Sequence, residues 1–212
     1  MKISEFFRLY WSVFVSPTKA FQQIDLDNRK MLLGFLAVMI PAIGYTLFYI
    51  MASSAGGAPS VFVPWLNLPM ERYFYYAIFL AIPAYLLAFL FASGFVYFCM
   101  RLARLQVSYD SIAMVLGLGI GVASWSSMLH DLTDAFLGFV GLIDIRQYEQ
   151  LLNEPTFWRY LLLSLYTIYF IWFFVLFQKG IAVVSKIDKA KASIFAFIGL
   201  AAFQSVLLLF IR

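Results

Sequence analysis

The sequence predicts an all-α integral membrane protein, a polytopic bundle of about five transmembrane helices preceded by an interfacial helix. Of its 212 residues, 64% are hydrophobic and only 12% are charged, whereas a soluble domain is about half apolar and about a quarter charged. The apolar residues fall in long blocks instead of the short alternations of a half-buried sheet. Aromatic residues make up 20% of the chain, and many tyrosines and tryptophans flank the apolar blocks, as at the headgroup level of membrane proteins.

Residues 1–30 differ from the rest of the chain in their mixture of charges and aromatic rings. From Ile3 to Val15, large apolar side chains alternate with scattered charges, which predicts an amphipathic helix lying in the membrane interface. Ser16 is a favourable N-cap and Pro17 a favourable first helical residue, so a second short helix is expected to end at about Ile24. We therefore treat this segment as cytoplasmic and interfacial.

Residues 31–212 form the predicted transmembrane domain. A helix needs about 20 apolar residues to cross a hydrocarbon layer of about 30 Å. Five stretches meet this length: roughly Met31 to Met51, Phe74 to Met100, Ser111 to Leu132, Tyr160 to Phe177 and Ala192 to Ile211. Between the third and fourth stretches, apolar and polar residues from Asp144 to Leu152 follow a helical spacing, which predicts a short amphipathic helix on the outer leaflet.

The positions of the basic residues predict the orientation of the chain. Lysine and arginine collect in the short loops that stay in the cytoplasm. Eleven of the fifteen lie in the N-terminal segment and in the loops after the second and fourth predicted spans, while the other four lie on the opposite side. This pattern predicts a cytoplasmic N-terminus, an outer C-terminus and an odd number of spans. The lipid bilayer is the first expected partner, and the scattered basic residues argue against a nucleic-acid partner.

Two prolines, Pro41 and Pro83, fall inside predicted spans. Each removes one backbone hydrogen bond and is expected to kink its helix. The kinks serve either helix packing, as is common in membrane helices, or a hinge that surrounds a cavity.

Small residues recur at four-residue spacing in two predicted spans. Ala84, Ala88 and Ala92 follow one another in the second span, and Gly117 and Gly121 form a GxxxG pair in the third. Small faces allow helix backbones to approach closely in lipid. We expect these residues to form a helix-packing face, either within one chain or between two copies of it.

The most unusual polar residues, His130, Asp131 and Asp134, close the third predicted span. Charges at membrane depth are costly and often mark ion or proton pathways. A helix that begins near Ser111 advances about 30 Å by His130, which predicts a place at the outer headgroups, where charge is tolerated. The cluster is a candidate polar site, although one histidine and two carboxylates from a single segment supply too few ligands for zinc.

The sequence contains no recognisable catalytic constellation. It has one histidine and one cysteine, and neither lies in a nucleophile or metalloprotease motif. The glycines of the third span follow no strand and precede no Gly-Lys-Ser/Thr sequence, which excludes a phosphate-binding loop. We therefore predict a non-enzymatic protein without a cofactor or a metal ion.

Three short stretches carry a resemblance to a known family. The first, from Ser16 to Ile24, reads Ser-Pro-Thr-Lys-Ala-Phe-Gln-Gln-Ile and is similar to an SPxxxFxxI entry to the first span. The second, Ala103 to Ala113, resembles a short inner loop that re-enters the membrane, and the third, Ala182 to Ala192, resembles a last inner loop. Together with the span count, they resemble the Yip family over nearly the whole chain. Members of that family are five-span membrane proteins that interact with Ypt and Rab GTPases.

The resemblance implies a bacterial member in the plasma (inner) membrane and implies no catalytic residues. From Gly121 to Ser126 the chain departs from the family pattern, which often has an aromatic residue and then a proline in the third span. The DLYGP motif of eukaryotic members is also missing. Both departures count against GTPase binding.

The leading functional hypothesis is a scaffold or adaptor in membrane organisation or trafficking. It would bind other membrane proteins, or copies of itself, through its spans and inner loops. The alternative is a small transporter or channel for a solute, ion or lipid, working as an oligomer, with Pro41 and Pro83 kinked around a cavity. The predicted spans lack acidic residues in their middle, which speaks against transport. An enclosed polar cavity would favour it.

Overall fold

The computed structural model describes residues 3–59, 65–66 and 68–211, and this part of the chain contains helices and no strand. A 3₁₀ turn at Met70–Arg72 precedes the fourth helix. The α-helices run in the following order: α1 Ile3–Val15, α2 Pro17–Asp25, α3 Lys30–Ser54, α4 Tyr73–Leu102, α5 Tyr109–Ala123, α6 Trp125–Phe139, α7 Ile145–Leu151, α8 Phe157–Ser185 and α9 Lys189–Phe210. The prediction of an all-α membrane bundle is confirmed.

Four helices, α3, α4, α8 and α9, are each long and apolar enough to cross a bilayer. The helices α5 and α6 meet the same criterion only together, and they bend by 45° at their junction. Gly117 of α5 lies against Gly34 of α3, and Met128 of α6 lies against Gly44 of α3. α3 packs along both halves, and by length and composition the bent pair counts as one further, broken span.

Polar side chains cap the first turns of three spans. The Ser108 hydroxyl accepts a hydrogen bond from the backbone N–H of Ser111 at the start of α5. Thr156 caps α8 and Asp188 caps α9 in the same way. A short side chain that satisfies a free N–H group of the first turn fixes where a helix begins.

The spans begin and end at two opposite ends of the bundle. α3, α5 and α9 begin at one end, which we call the basic end because Lys30, Lys186 and Lys189 lie there. α4 and α8 begin at the other end, which we call the far end, and α6 finishes there beside α7.

The break in the third span lies in a run of serines. The Ser124 hydroxyl donates to the Ile120 carbonyl at 2.8 Å, and the Ser126 hydroxyl donates to the Ala123 carbonyl at 3.0 Å. Serine hydroxyls that bond to the preceding turn compete with the backbone ladder and bend helices. By contrast, α3 and α4 each continue as one helix through their prolines.

The first two helices fold back on each other as a hairpin. Glu5, near the start of α1, pairs with Arg29 at 3.0 Å, and Asp25, at the end of α2, pairs with Lys30 at 3.0 Å. Both outer ends of the hairpin therefore meet the start of α3 at the basic end. The turn between the two helices is at Ser16, next to the predicted Pro17 start.

The hairpin reaches into the bundle from the basic end. The Tyr10 hydroxyl donates to the Gly121 carbonyl, which lies about 18 Å along α5 from Tyr109. The Phe14 ring contacts the Trp172 ring of α8 with centroids 4.5 Å apart. The predicted helix bounds of α1 are therefore found, and one apolar face of this helix packs on α5 and α8. A face that is buried against protein gains side-chain packing that acyl chains do not supply.

Candidate functional site

A cavity of about 310 Å³ lies in the far half of the bundle, next to the break in the third span. It is bounded by α3, α4, α6, α7, α8 and α9. Its polar lining comes from these helices and comprises Tyr45, Tyr49, Tyr85, Ser124, Ser127, His130, Asp131, Asp134, Tyr148, Glu149, Tyr166, Thr167, Tyr169 and Gln204. The sequence predicted three of these residues as a candidate polar cluster, and the fold adds the others around them.

The centre of the polar lining is the cluster His130, Asp131 and Asp134. The His130 Nδ1 atom lies 3.1 Å from Asp131 Oδ1 and 3.1 Å from Asp134 Oδ2. The three side chains expose only 8%, 11% and 15% of their surface. Because one ring nitrogen faces two carboxylates, it carries a proton and donates to them.

Two tyrosines from other helices complete the hydrogen bonding of the cluster. The Tyr166 hydroxyl of α8 donates to Asp131 Oδ2 at 3.3 Å. The Tyr148 hydroxyl of α7 lies 3.0 Å from His130 Nε2, to which it can donate when the ring is neutral. Three separate helices therefore hold one buried group of ionisable side chains.

The sequence placed this cluster at the outer headgroups, and the structure buries it between α6, α7 and α8. Tyr166 is about 13 Å along α8 from Phe157, and its hydroxyl contacts Asp131. Tyr148 places α7 over the cluster on the side of the far end. The sequence did not reveal this burial, because it does not show that the third span bends or that α7 packs over the cluster. Acidic groups are therefore buried within the bundle, although the sequence places none in the middle of a predicted span.

A ring of tyrosines forms much of the remaining wall. The Tyr45 hydroxyl lies 3.0 Å from the Ser127 hydroxyl, and the Tyr45 and Tyr85 rings stack with centroids 5.9 Å apart. On the opposite wall, the Gln204 side-chain amide of α9 donates to the Tyr169 hydroxyl at 2.5 Å. These contacts satisfy polar groups that lipid could not satisfy.

Helix α7 covers the far side of the cavity. Asp144 caps it, and Ile145 packs on Gly57 and Gly138, so its position is fixed by close contacts. It contributes Tyr148 and Glu149 to the lining, and Glu149 is only 5% exposed. Burial, and then the nearby Asp134 carboxylate, raise the pKa of Tyr148, so this hydroxyl stays protonated at neutral pH.

The other predicted site residues lie away from the cavity. Neither Pro41, which is buried, nor Pro83, which is exposed, belongs to its lining. Among the described residues, no set of three histidine, cysteine or acidic side chains is arranged to hold a metal ion.

The small-residue faces pack inside the chain. Gly117 and Gly121 touch the backbone of α3 at Gly34 and Ala37. The alanines of α4 are buried within the same bundle, at positions Ala84, Ala88 and Ala92. Close backbone approach is what a small-residue face permits, and here it joins helices of one chain.

Several cavity residues were missed by sequence reasoning. Tyr166, Thr167 and Gln204 stand inside long apolar blocks, where the polar atom of each needs a partner other than water. That requirement is the signal that could have marked them as facing a polar interior. Tyr148 and Glu149 carried a weaker signal, because an amphipathic helix at the membrane surface exposes such residues equally well.

The fold and the cavity define an all-α integral membrane protein with a buried polar site. Comparisons with protein-family models, with curated protein sequences and with solved structures found no match to this chain. The resemblance to the Yip family therefore stays a prediction.

Proposed function

We propose that this protein is a small transporter, whose ligand binds in the cavity around Asp131. The observation that supports the proposal is the burial of His130, Asp131 and Asp134 in one cavity within a bundle of apolar helices. Ionisable groups inside a bilayer cost several kcal/mol and mark pathways for ions or solutes in membrane proteins. Packing alone would be served better by apolar residues of similar size.

The broken third span also supports transport. Transporters bind their substrates near interrupted helices, where the free backbone ends and polar side chains face a cavity. Here Ser124, at the break, and Ser127, one turn further, both line the cavity. The bent helix can act as a moving part, since a change in the bend would change the shape of the cavity.

The basic end is proposed to face the cytoplasm, as the distribution of lysine and arginine favours. The cavity then lies in the outer half of the protein, in a bacterial plasma membrane. In this orientation α7 covers the outer side of the site, and the hairpin of α1 and α2 closes the inner side.

The scaffold hypothesis has less support from the contacts within the chain. One of its grounds was the set of small-residue faces, and Gly117 and Gly121 are covered by α3 of the same chain. Another was the lack of a polar pathway, whereas the bundle contains a cavity with a polar lining. We keep the proposal that the protein catalyses no reaction, because none of the cavity residues forms a nucleophile with its base.

Transport can be tested with the purified chain in liposomes and a panel of solutes. The panel includes inorganic cations, amines, amino acids and sugars. Electrical recording detects the flux of charged solutes, and light scattering detects the flux of neutral ones. We expect at least one class to cross faster than in protein-free liposomes. The Asp131→Asn variant should lose that flux, while Asp110→Asn, an exposed acid at the basic end, should keep it. Equal flux in protein-free and protein-containing liposomes for the whole panel would contradict the proposal.

A further inference from the structure

We infer that the cavity binds an ammonium group, carried by a free amine or by a lipid headgroup, which enters from the bilayer between α8 and α9. This inference rests on the proposed function and specifies its substrate. It combines three observations: the charge of the lining, the aromatic rings around it, and the apolar side chains that separate it from lipid.

The charge of the lining selects for a cation. Three carboxylates, those of Asp131, Asp134 and Glu149, face the cavity, together with one histidine and neither lysine nor arginine. Even with His130 protonated, the lining keeps an excess of negative charge. Asp131 and Glu149 expose only 9% and 5% of their surface, so water screens this charge weakly.

The rings of the lining select for an organic cation over a bare metal ion. Six tyrosines surround the cavity, at positions 45, 49, 85, 148, 166 and 169. The face of an aromatic ring attracts ammonium groups, and cages of such rings hold amines and quaternary ammonium ions. The volume of about 310 Å³ accepts a group of this kind with a few attached carbon and oxygen atoms.

The wall formed by α8 and α9 points to an entry from the bilayer. Leu163 and Phe170 of α8 and Leu208 of α9 line the cavity, yet they are 38%, 39% and 37% exposed. Side chains with one face in the cavity and another on the surface form a thin apolar partition. An amphiphile can pass such a partition with its polar group in the cavity and its chains in lipid.

The inference is tested by calorimetry, which measures the binding of four probes to the protein purified in dodecyl maltoside. The probes are ethanolamine, tetramethylammonium, dihexanoylphosphatidylethanolamine and dihexanoylphosphatidylglycerol, of which the last has the same acyl chains without an ammonium group. We expect binding of at least one ammonium probe and at least about tenfold weaker binding of phosphatidylglycerol, since one lost charge-assisted contact accounts for that factor. Tighter binding of the phosphatidylethanolamine than of ethanolamine would identify a lipid substrate and support entry from the bilayer. Equal binding would identify a free amine and would overturn entry from the bilayer.

Two results would overturn the inference. One is the absence of binding by every ammonium probe, and the other is equal binding of the two phospholipids. The comparison of probes uses the wild-type chain, so it does not depend on a variant that folds. The Asp131→Asn variant adds a further check, since it should weaken the ammonium probes while Asp110→Asn should not. If a sugar or an inorganic cation crosses liposomes while no ammonium probe binds, this inference fails and the proposed transport function stands.

Discussion

The Tyr10 hydroxyl of α1 donates a hydrogen bond to the Gly121 carbonyl of α5 at 2.5 Å, one turn before the break in the third span. The same hydroxyl accepts a hydrogen bond from the Trp125 indole nitrogen at 2.8 Å. One side chain of the N-terminal hairpin thus joins the last turn of α5 to the first residue of α6. It satisfies a carbonyl at a point where a broken helix leaves its acceptors incompletely paired.

Removal of this hydroxyl should destabilise the bundle. Tyr10→Phe leaves the Gly121 carbonyl and the Trp125 N–H buried without this partner, which costs about 1–3 kcal/mol. We expect a lower midpoint of thermal unfolding in micelles. The matched control, Tyr75→Phe, changes a ring that is 52% exposed and should leave the midpoint unchanged. If the two variants unfold at the same temperature as the wild type, the hydroxyl is not a structural link.

Close backbone packing between α3 and α5 gives a second prediction. A Cβ atom on Gly117 would meet the Gly34 carbonyl oxygen far inside van der Waals distance, and backbone cannot move aside as a flexible side chain can. Gly117→Ala should therefore reduce the free energy of unfolding by about 1–3 kcal/mol.

The control for this prediction is another glycine within a span. A Cβ atom on Gly94 of α4 has no heavy atom within 4 Å. Gly94→Ala should not reduce the free energy of unfolding and can raise it by up to about 1 kcal/mol. Equal effects of the two substitutions would show that α3 and α5 do not pack through these glycines.

A third prediction concerns the acidic range of pH. The hydrogen bond from the Arg29 guanidinium lowers the pKa of Asp27, in the turn between α2 and α3. A carboxyl whose pKa is lower in the folded state stabilises the fold above its unfolded pKa of about 3.9, and this contribution disappears as pH falls through the folded pKa.

Asp27→Asn should therefore reduce stability at neutral pH, by no more than about 1 kcal/mol because the pair is near the surface. The difference between variant and wild type should shrink as pH is lowered below about 4. Urea unfolding of both proteins across this range measures it. Glu154→Gln, an exposed acid at the far end, should show a smaller difference at neutral pH. A difference that grows on acidification would have the wrong sign for this account.

The sequence predicts the helices of this protein more completely than their contacts. The apolar block from Met31 to Met51 is long enough to cross a bilayer, and it corresponds to α3, Lys30–Ser54. In the same way, the Ser16–Pro17 pair marks the boundary between α1 and α2. Length and capping are local properties, so one sequence is sufficient to read them.

The candidate site depends on contacts between residues that are far apart in the sequence, and local sequence patterns do not predict such contacts. Asp131 and Tyr166 are 35 residues apart in the sequence, and they meet only because the third span bends at Ser124 and α8 returns beside it. The bend itself arises from serine hydroxyls that bond to the preceding turn, which many straight helices also contain. The three clustered residues could thus be selected from the sequence, whereas their burial and their partners required the fold.

We propose above all that the cavity around Asp131 admits and binds a small molecule. The most direct measurement is the labelling of Ser127→Cys, which lines the cavity, in a Cys99→Ser background. A cationic methanethiosulfonate is added to the protein in detergent micelles, where it can reach both the far end and the wall formed by α8 and α9. The control is Ser93→Cys in α4, which is equally buried but does not line the cavity. The account predicts that the cysteine at position 127 is labelled and the one at position 93 is protected. Protection of both positions would contradict it, because the polar residues would then form a sealed core and not a binding site.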